Sequence, residues 1–194
     1  MSPIVSQPVE GALTRSAIFV TLTVTEGDDA VEKLRELCAD LPSLVKAVGF
    51  RSAGAGLTCI LGIGAAMWDR LALGATPQGL HPFREISGVH HAPSTPGDLL
   101  LHVRASRHDY CFELVTHIIR RLGPAVVVQD ETQGFKFFDN RDLLGFVENS
   151  FDARFPMIFA TVLFFDCFTE TESKRSLHVF HSSYGISKLP VSAV

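Results

Sequence analysis

The chain predicts an α+β fold, a ferredoxin-like β-α-β-β-α-β domain with four antiparallel strands and two helices on one face. Three observations predict it. Ile18, Val20, Leu22 and Val24 alternate with Phe19, Thr21, Thr23 and Thr25, the period-two pattern of a half-buried strand. Two later stretches carry apolar residues at helical spacing, and the second leads through Gly123-Pro124 into a β-branched run.

The elements follow in order. Gly27-Asp28-Asp29 offers a turn and a helix N-cap, and Val31, Leu34, Leu37, Cys38 and Leu41 continue at helical spacing. Leu41-Pro42 is expected to stop that helix, because proline lacks the N–H that an interior helical position donates. Leu44 to Phe50 and Leu57 to Gly62 are shorter apolar runs, read as strands, with Ser52-Ala-Gly-Ala-Gly56 between them. A brief helix is expected over Ala65 to Leu71. Gly74 to Pro96 is rich in Gly, Pro, Ser and His and reads as a long surface loop. Asp98 to Arg104 alternates again as a strand. Ser106-x-x-Asp109 is similar to a capping box and precedes Phe112, Val115, Ile118, Ile119 and Leu122 on one helical face. Gly123-Pro124 ends that helix, and Ala125 to Gln129 makes the last strand. Composition shifts near Asn149: 7 of the 15 phenylalanines fall in Ser150 to Val194. The chain is therefore divided into a domain over 1–148 and a divergent tail over 149–194.

Composition narrows the function classes. Of the 194 residues, 46% are apolar and 20% charged, as in a globular protein. The net charge is −4 and no basic run extends beyond Arg120-Arg121, which argues against a nucleic-acid partner. The four cysteines, Cys38, Cys59, Cys111 and Cys167, form no Cys-x-x-Cys pair; they read as free thiols in a reducing compartment rather than as zinc ligands. The first ten residues lack the basic region and apolar core of a secretory signal. The longest apolar stretch, Phe155 to Phe168, covers 14 residues and contains Asp166, too short and too interrupted for a membrane-spanning helix. A soluble, cytoplasmic protein is expected.

Four segments in the same order resemble the N-terminal half of dye-decolourising (DyP-type) peroxidases, over about residues 11–148. They are Leu61-Gly-Ile-Gly-Ala-Ala-Met-Trp-Asp-Arg-Leu71, Ala92-Pro-Ser-Thr-Pro-Gly-Asp-Leu-Leu-Leu-His-Val-Arg-Ala105, Arg107-His-Asp-Tyr-Cys-Phe-Glu-Leu114 and, most of all, Gly134-Phe-Lys-Phe-Phe-Asp-Asn-Arg-Asp-Leu-Leu-Gly-Phe-Val147. The resemblance implies a dimeric α+β barrel-type core made from two ferredoxin-like halves, with haem b in the second half. It implies hydrogen peroxide as oxidant and small organic reductants such as phenols or dyes as donors. The family signature, Gly-x-x-Asp-Gly, sets a carboxylate over the haem, where it takes a proton from peroxide and returns it to the leaving oxygen. A second-half arginine assists electrostatically, and a second-half histidine ligates iron.

In this chain the corresponding stretch reads Gly145-Phe-Val-Glu148-Asn149. The resemblance thus implies Glu148 as the catalytic carboxylate, with Gly145, Phe146 and Asn149 as the residues beside the cofactor. Two alignments are open. In one, Glu148 replaces the family aspartate, moving the acid by about 1.5 Å, near one C–C bond length. A misplacement of about 1 Å can cost ~100-fold in rate. In the other, three residues are deleted and Glu148-Asn149 matches a later Glu-Asn pair of the family, leaving no catalytic acid. Nothing past Asn149 resembles the family, and a frameshift, retained intron or altered splice is one expected origin of the tail.

Other candidates read more simply. His178 and His181, in Leu177-His-Val-Phe-His181, are weak candidates for an iron ligand; they would share a helix face but oppose each other on a strand. His102 reads as a structural residue beside the sheet, His108 as a helix-start residue, and His90-His91 as loop residues without metal-ligand spacing. Gly62-x-Gly64 lacks the rest of a nucleotide-binding fingerprint and reads as a strand-to-helix turn. Asp139, Arg141 and Asp142 read as an ion-paired loop, and Trp68 as core. The alternative to a peroxidase is a non-catalytic ferredoxin-like domain acting through self-association: an uncovered apolar sheet face favours a homo-oligomer that buries it.

Overall fold

The computed structural model describes residues 7–9 and 14–138, together with the backbone of 163–164, 178–179 and 184–186. The elements are β1 (Ser16–Val24), α1 (Asp28–Gly49), β2 (Thr58–Ile63), α2 (Ala65–Arg70), β3 (Ile86–Ser87), β4 (His91–Ala92), β5 (Leu99–Ala105), α3 (His108–Leu122) and β6 (Val126–Lys136), followed by β7 (Leu163–Phe164), β8 (His178–Val179) and β9 (Tyr184–Ile186). The main sheet runs β2-β5-β1-β6-β9, all pairs antiparallel. β1, α1, β2, β5, α3 and β6 give the expected β-α-β-β-α-β order, an α+β ferredoxin-like domain.

Register divides the sheet into two faces. Ile18, Val20 and Leu22 stand opposite Val103, Leu101 and Leu99, which in turn stand opposite Cys59, Leu61 and Ile63. All nine are buried in one cluster with Leu34, Leu37 and Leu41 of α1 and Cys111, Leu114 and Ile118 of α3. Burying each such side chain contributes ~1.5–3 kcal/mol, and this layer holds the helices to the sheet. The alternating positions, among them Phe19, Thr21, Leu100, His102 and Arg104, fall on the other face.

Several expectations need correction. Pro42 does not stop α1; the helix passes through it to Gly49, so Leu44 to Phe50 is helical rather than a strand, apart from Phe50 just past its end. An interior proline costs ~3 kcal/mol. Here the apolar stripe continues beyond it, with Val48 buried and Leu44 and Val45 packed against the core, so tertiary burial offsets the local penalty. The capping box at Ser106 does not form: Arg107 is the N-cap of α3 and makes no side-chain cap bond, while the Ser106 hydroxyl reaches the Gly54 carbonyl. The buried face of α3 is Cys111, Leu114, Ile118 and Leu122, and Phe112 is 59% exposed. β6 extends seven residues past Gln129, to Lys136. The 74–96 loop is exposed along nearly all its length and carries the two-residue β3–β4 ladder.

Two devices fix the end of the sheet from which α1 departs. The Asp98 carboxylate accepts from the Val24 N–H at 2.8 Å, the Asp98 N–H donates to the Leu22 carbonyl at 2.8 Å, and the Asp98 carbonyl accepts from Gly64 N–H at 2.7 Å. Arg70 donates to the carbonyls of Val24 and Thr25 at 3.2 and 2.8 Å, tying α2 to the end of β1. Trp68 is core, as expected, and its indole N–H donates to the Gly74 carbonyl. Gly97 sits where no side chain fits: a Cβ there would lie 2.7 Å from Thr21 Cγ2. Gly97→Ala should therefore cost ~1–3 kcal/mol in chemical denaturation. In a Thr21→Ser background, which lacks that methyl, most of the loss should disappear; an equal loss in both backgrounds would place the strain elsewhere.

Candidate functional site

The sequence directs attention to the C-terminal end of β6, because that strand leads into the Gly145–Asn149 motif. β6 pairs with β1 along its length, with an irregularity where Thr21 faces Asp130 and Leu22 faces Val128. Gln129, the extra residue, donates from its side-chain amide to Thr23 Oγ1 at 2.7 Å. The strand closes with the Lys136 N–H on the Arg15 carbonyl at 2.9 Å. Phe137 and Phe138 then pack ring against ring at 4.3 Å, and Phe138 takes a positive φ of 39° as the chain turns off the sheet. Glu148, Gly145, Phe146, Asn149 and His181 lie outside the described residues, as do Asp139, Arg141 and Asp142. For His178 only the backbone is described, in β8 opposite Phe164.

Within the described residues the polar feature of the sheet is on its helix-free face. His102 is 2% exposed and stacks on Phe19, with ring centroids 4.4 Å apart and an interplanar angle of 11°. Burial, reinforced by the nearby Arg104 cation, pushes the His102 pKa down to about 3, so its imidazole is neutral at ordinary pH. Arg104, also 2% exposed, donates from Nε to Thr58 Oγ1 at 3.0 Å and from Nη2 to the Pro8 carbonyl. The structural role expected for His102 holds. Sequence reasoning missed Arg104, Phe19 and the Gln7-Pro8 segment; the available signal was the alternation Leu100, His102, Arg104, which sets two polar side chains on one face of a central strand.

These residues do not make a haem site by themselves. A neutral imidazole is the form that ligates iron, but among the described residues the His102 ring lies buried and stacked on Phe19. A groove of about 420 Å³ runs between α1 and α3 on the helical layer, lined by Leu44, Val48, Arg107, Tyr110 and Glu113 among others, with mixed apolar and charged walls and a wide opening. Among the described residues, no group of three or more His, Cys, Asp or Glu side chains could hold a metal ion, and no helix is long and apolar enough to cross a membrane.

This fold is shared with the N-terminal part of a class of peroxidases. The family model described as "Dyp-type peroxidase, N-terminal" matches residues 7–136, and the chain belongs to that family. It is 46% identical to the dye-decolorizing peroxidase of Rhodococcus erythropolis over 149 residues, 76% of this chain and 43% of that one. Against the Mycobacterium tuberculosis dye-decolorizing peroxidase it is 47% identical over 145 residues, 74% and 43% of the two chains. The cryo-EM structure of the encapsulated DyP-type peroxidase from Mycobacterium smegmatis superposes with a TM-score of 0.71 at 44% identity, over 81% of this chain and 51% of that one. A variant of DypB from Rhodococcus jostii RHA1, solved in complex with heme, gives 0.68 at 45%, over 71% and 44%. The chain spans less than half the length of the curated relatives it matches.

His102 makes stability depend on pH. Its folded-state pKa of about 3 lies below the ordinary 6.5, so the unfolded chain takes up the proton first on acidification. The stability this residue contributes is complete well above pH 6.5 and is lost as pH falls towards 3, at up to ~1.4 kcal/mol per pH unit. Between about pH 7.5 and 5, wild type should lose roughly 2 kcal/mol more in urea unfolding than His102→Phe, which keeps the stack on Phe19 without a titrating group. Parallel pH profiles would show that His102 titrates normally in the folded chain.

Proposed function

We propose that this chain serves in a haem-dependent peroxidase of the Dyp type, reducing hydrogen peroxide while oxidising small organic donors such as phenols or dyes. The observation that carries the reading is the family match over residues 7–136, with β6 ending nine residues before Gly145. Haem b, when bound, supplies the redox chemistry. With haem bound, Glu148 would hold and move a proton at its carboxylate, and Gly145, Phe146 and Asn149 would be the residues beside the cofactor. The resemblance puts the iron-ligating histidine in the family's second half; within this sequence His178 and His181 are the weak candidates for that role. The division into a domain over 1–148 and a tail over 149–194 belongs to the same reading.

A cytoplasmic setting is supported by the thiols. Cys38, Cys59 and Cys111 are free, and burial pushes Cys59 and Cys111 up to about 12, leaving both as inert thiols. A homo-oligomer is supported by Val127, Val128, Phe135 and Phe138, four exposed apolar side chains on and just after β6. The same four side chains favour the second reading, a non-catalytic domain acting through self-association.

Haem titration of the purified chain separates the two. The peroxidase reading expects a sharp Soret band at equimolar haem, lost in a His178→Ala/His181→Ala double variant if the tail ligates iron. Glu148→Gln should retain haem and lose ~10²–10⁴-fold in peroxide turnover. A broad free-haem spectrum, unchanged by mixing with candidate partner chains, would leave the self-association reading.

A further inference from the structure

The two long outer strands of the four-stranded domain are built differently. β6 carries Asp130, Glu131 and Lys136, and β9 pairs with its last three residues. Charges on an edge discourage pairing with another chain. β2 reads Thr58-Cys-Ile-Leu-Gly-Ile63, with neither a charge nor a proline. An uncharged apolar edge of this kind is a template for strand addition.

One feature of the domain occupies that edge. The Leu61 N–H donates to Gln7 Oε1 at 2.7 Å, and Gln7 Nε2 donates to the Leu61 carbonyl at 3.1 Å. A primary amide has the donor and acceptor of a peptide group, so Gln7 makes both bonds that a partner strand would make at Leu61. The next residue is anchored too: the Pro8 carbonyl accepts from buried Arg104, whose Nε is fixed by Thr58 Oγ1. Pro8 has no N–H and cannot extend the segment as a strand of its own. The family match begins at Gln7, so this segment belongs to the domain.

The geometry points to Gln7–Val9 as an edge guard: it occupies the outward backbone groups of Leu61 and so prevents β2 from adding the β2 strand of a second copy of this chain. Antiparallel ladders direct alternate residues outward, so Cys59 and Ile63 face the same way as Leu61. A two-fold pairing centred on Leu61 sets Cys59 of one copy opposite Ile63 of the other, matching every outward position without opposing charges. The same operation on β6 would bring Asp130 and Glu131 of both copies together, which is unfavourable. A second copy at β2 is thus the occupant the edge fits once the guard is lifted.

The inference stands apart from the peroxidase reading, since neither haem nor turnover enters its test. Amide hydrogen exchange and sedimentation would be followed on the full chain across a concentration series, for wild type, Gln7→Ala and Gln7→Glu. At low concentration Gln7→Ala should exchange the Leu61 amide roughly tenfold faster than wild type, the scale of a lost hydrogen bond. At high concentration it should associate about tenfold more tightly, with Cys59, Leu61 and Ile63 protected again. Gln7→Glu keeps the acceptor but loses the donor, and should fall between the two. Unchanged exchange at Leu61 in Gln7→Ala would overturn the guard. Faster exchange without re-protection at high concentration would overturn the second copy as occupant.

Discussion

The register of β1 is the constraint on which the rest of the domain depends, and Asp98 holds it. Its carboxylate takes the Val24 N–H while its own N–H reaches the Leu22 carbonyl, so two bonds from one residue lock the start of β5 to the end of β1. Side chains alternate with period two. A one-residue slip would turn Ile18, Val20 and Leu22 away from the helices and set Phe19, Thr21 and Thr23 against them. Gly97 contributes by having no side chain, since the Thr21 methyl occupies the space where one would stand. Arg70 closes the same end by holding the carbonyls of Val24 and Thr25.

With that register set, the two faces take separate tasks. The helix-facing side is an apolar layer whose components are interchangeable in kind: Leu34, Leu37 and Leu41 from one helix, Leu114 and Ile118 from the other. The other side buries His102 and Arg104, which apolar packing alone would not favour. Arg104 is accommodated by Thr58 and the Pro8 carbonyl, and His102 by losing its proton and stacking on Phe19. The N-terminal segment serves both places, its Pro8 carbonyl accepting from Arg104 and its Gln7 amide bonding Leu61 at the sheet edge.

β6 continues the family's order through Gly134-Phe-Lys136 and releases the chain beside the start of β1. The described residues contribute the fold, its register and the strand that leads towards Gly145–Asn149. Membership of the Dyp-type family rests on the domain as a whole, at 46–48% identity to its relatives.

Local pattern alone determined the strands β1, β2 and β5, the short helix α2 and the order of elements, because period two and the 3.6-residue repeat are visible in a few consecutive side chains. The family was legible from four motifs in order, and the proposal of Glu148 rests on them alone. Tertiary structure decided what local pattern misread. α1 passes through Pro42 because Val48, beyond it, has a core to enter. α3 turns Cys111 and Leu114 inward, leaving Phe112 outside, because the helix seats against β1 and β5 rather than on its largest side chain. Gln7 and Leu61 lie 54 residues apart, and Pro8 and Arg104 lie 96 apart. Hydrogen bonds between groups that distant leave no periodic trace in the chain; they exist only once the sheet has brought the two ends together.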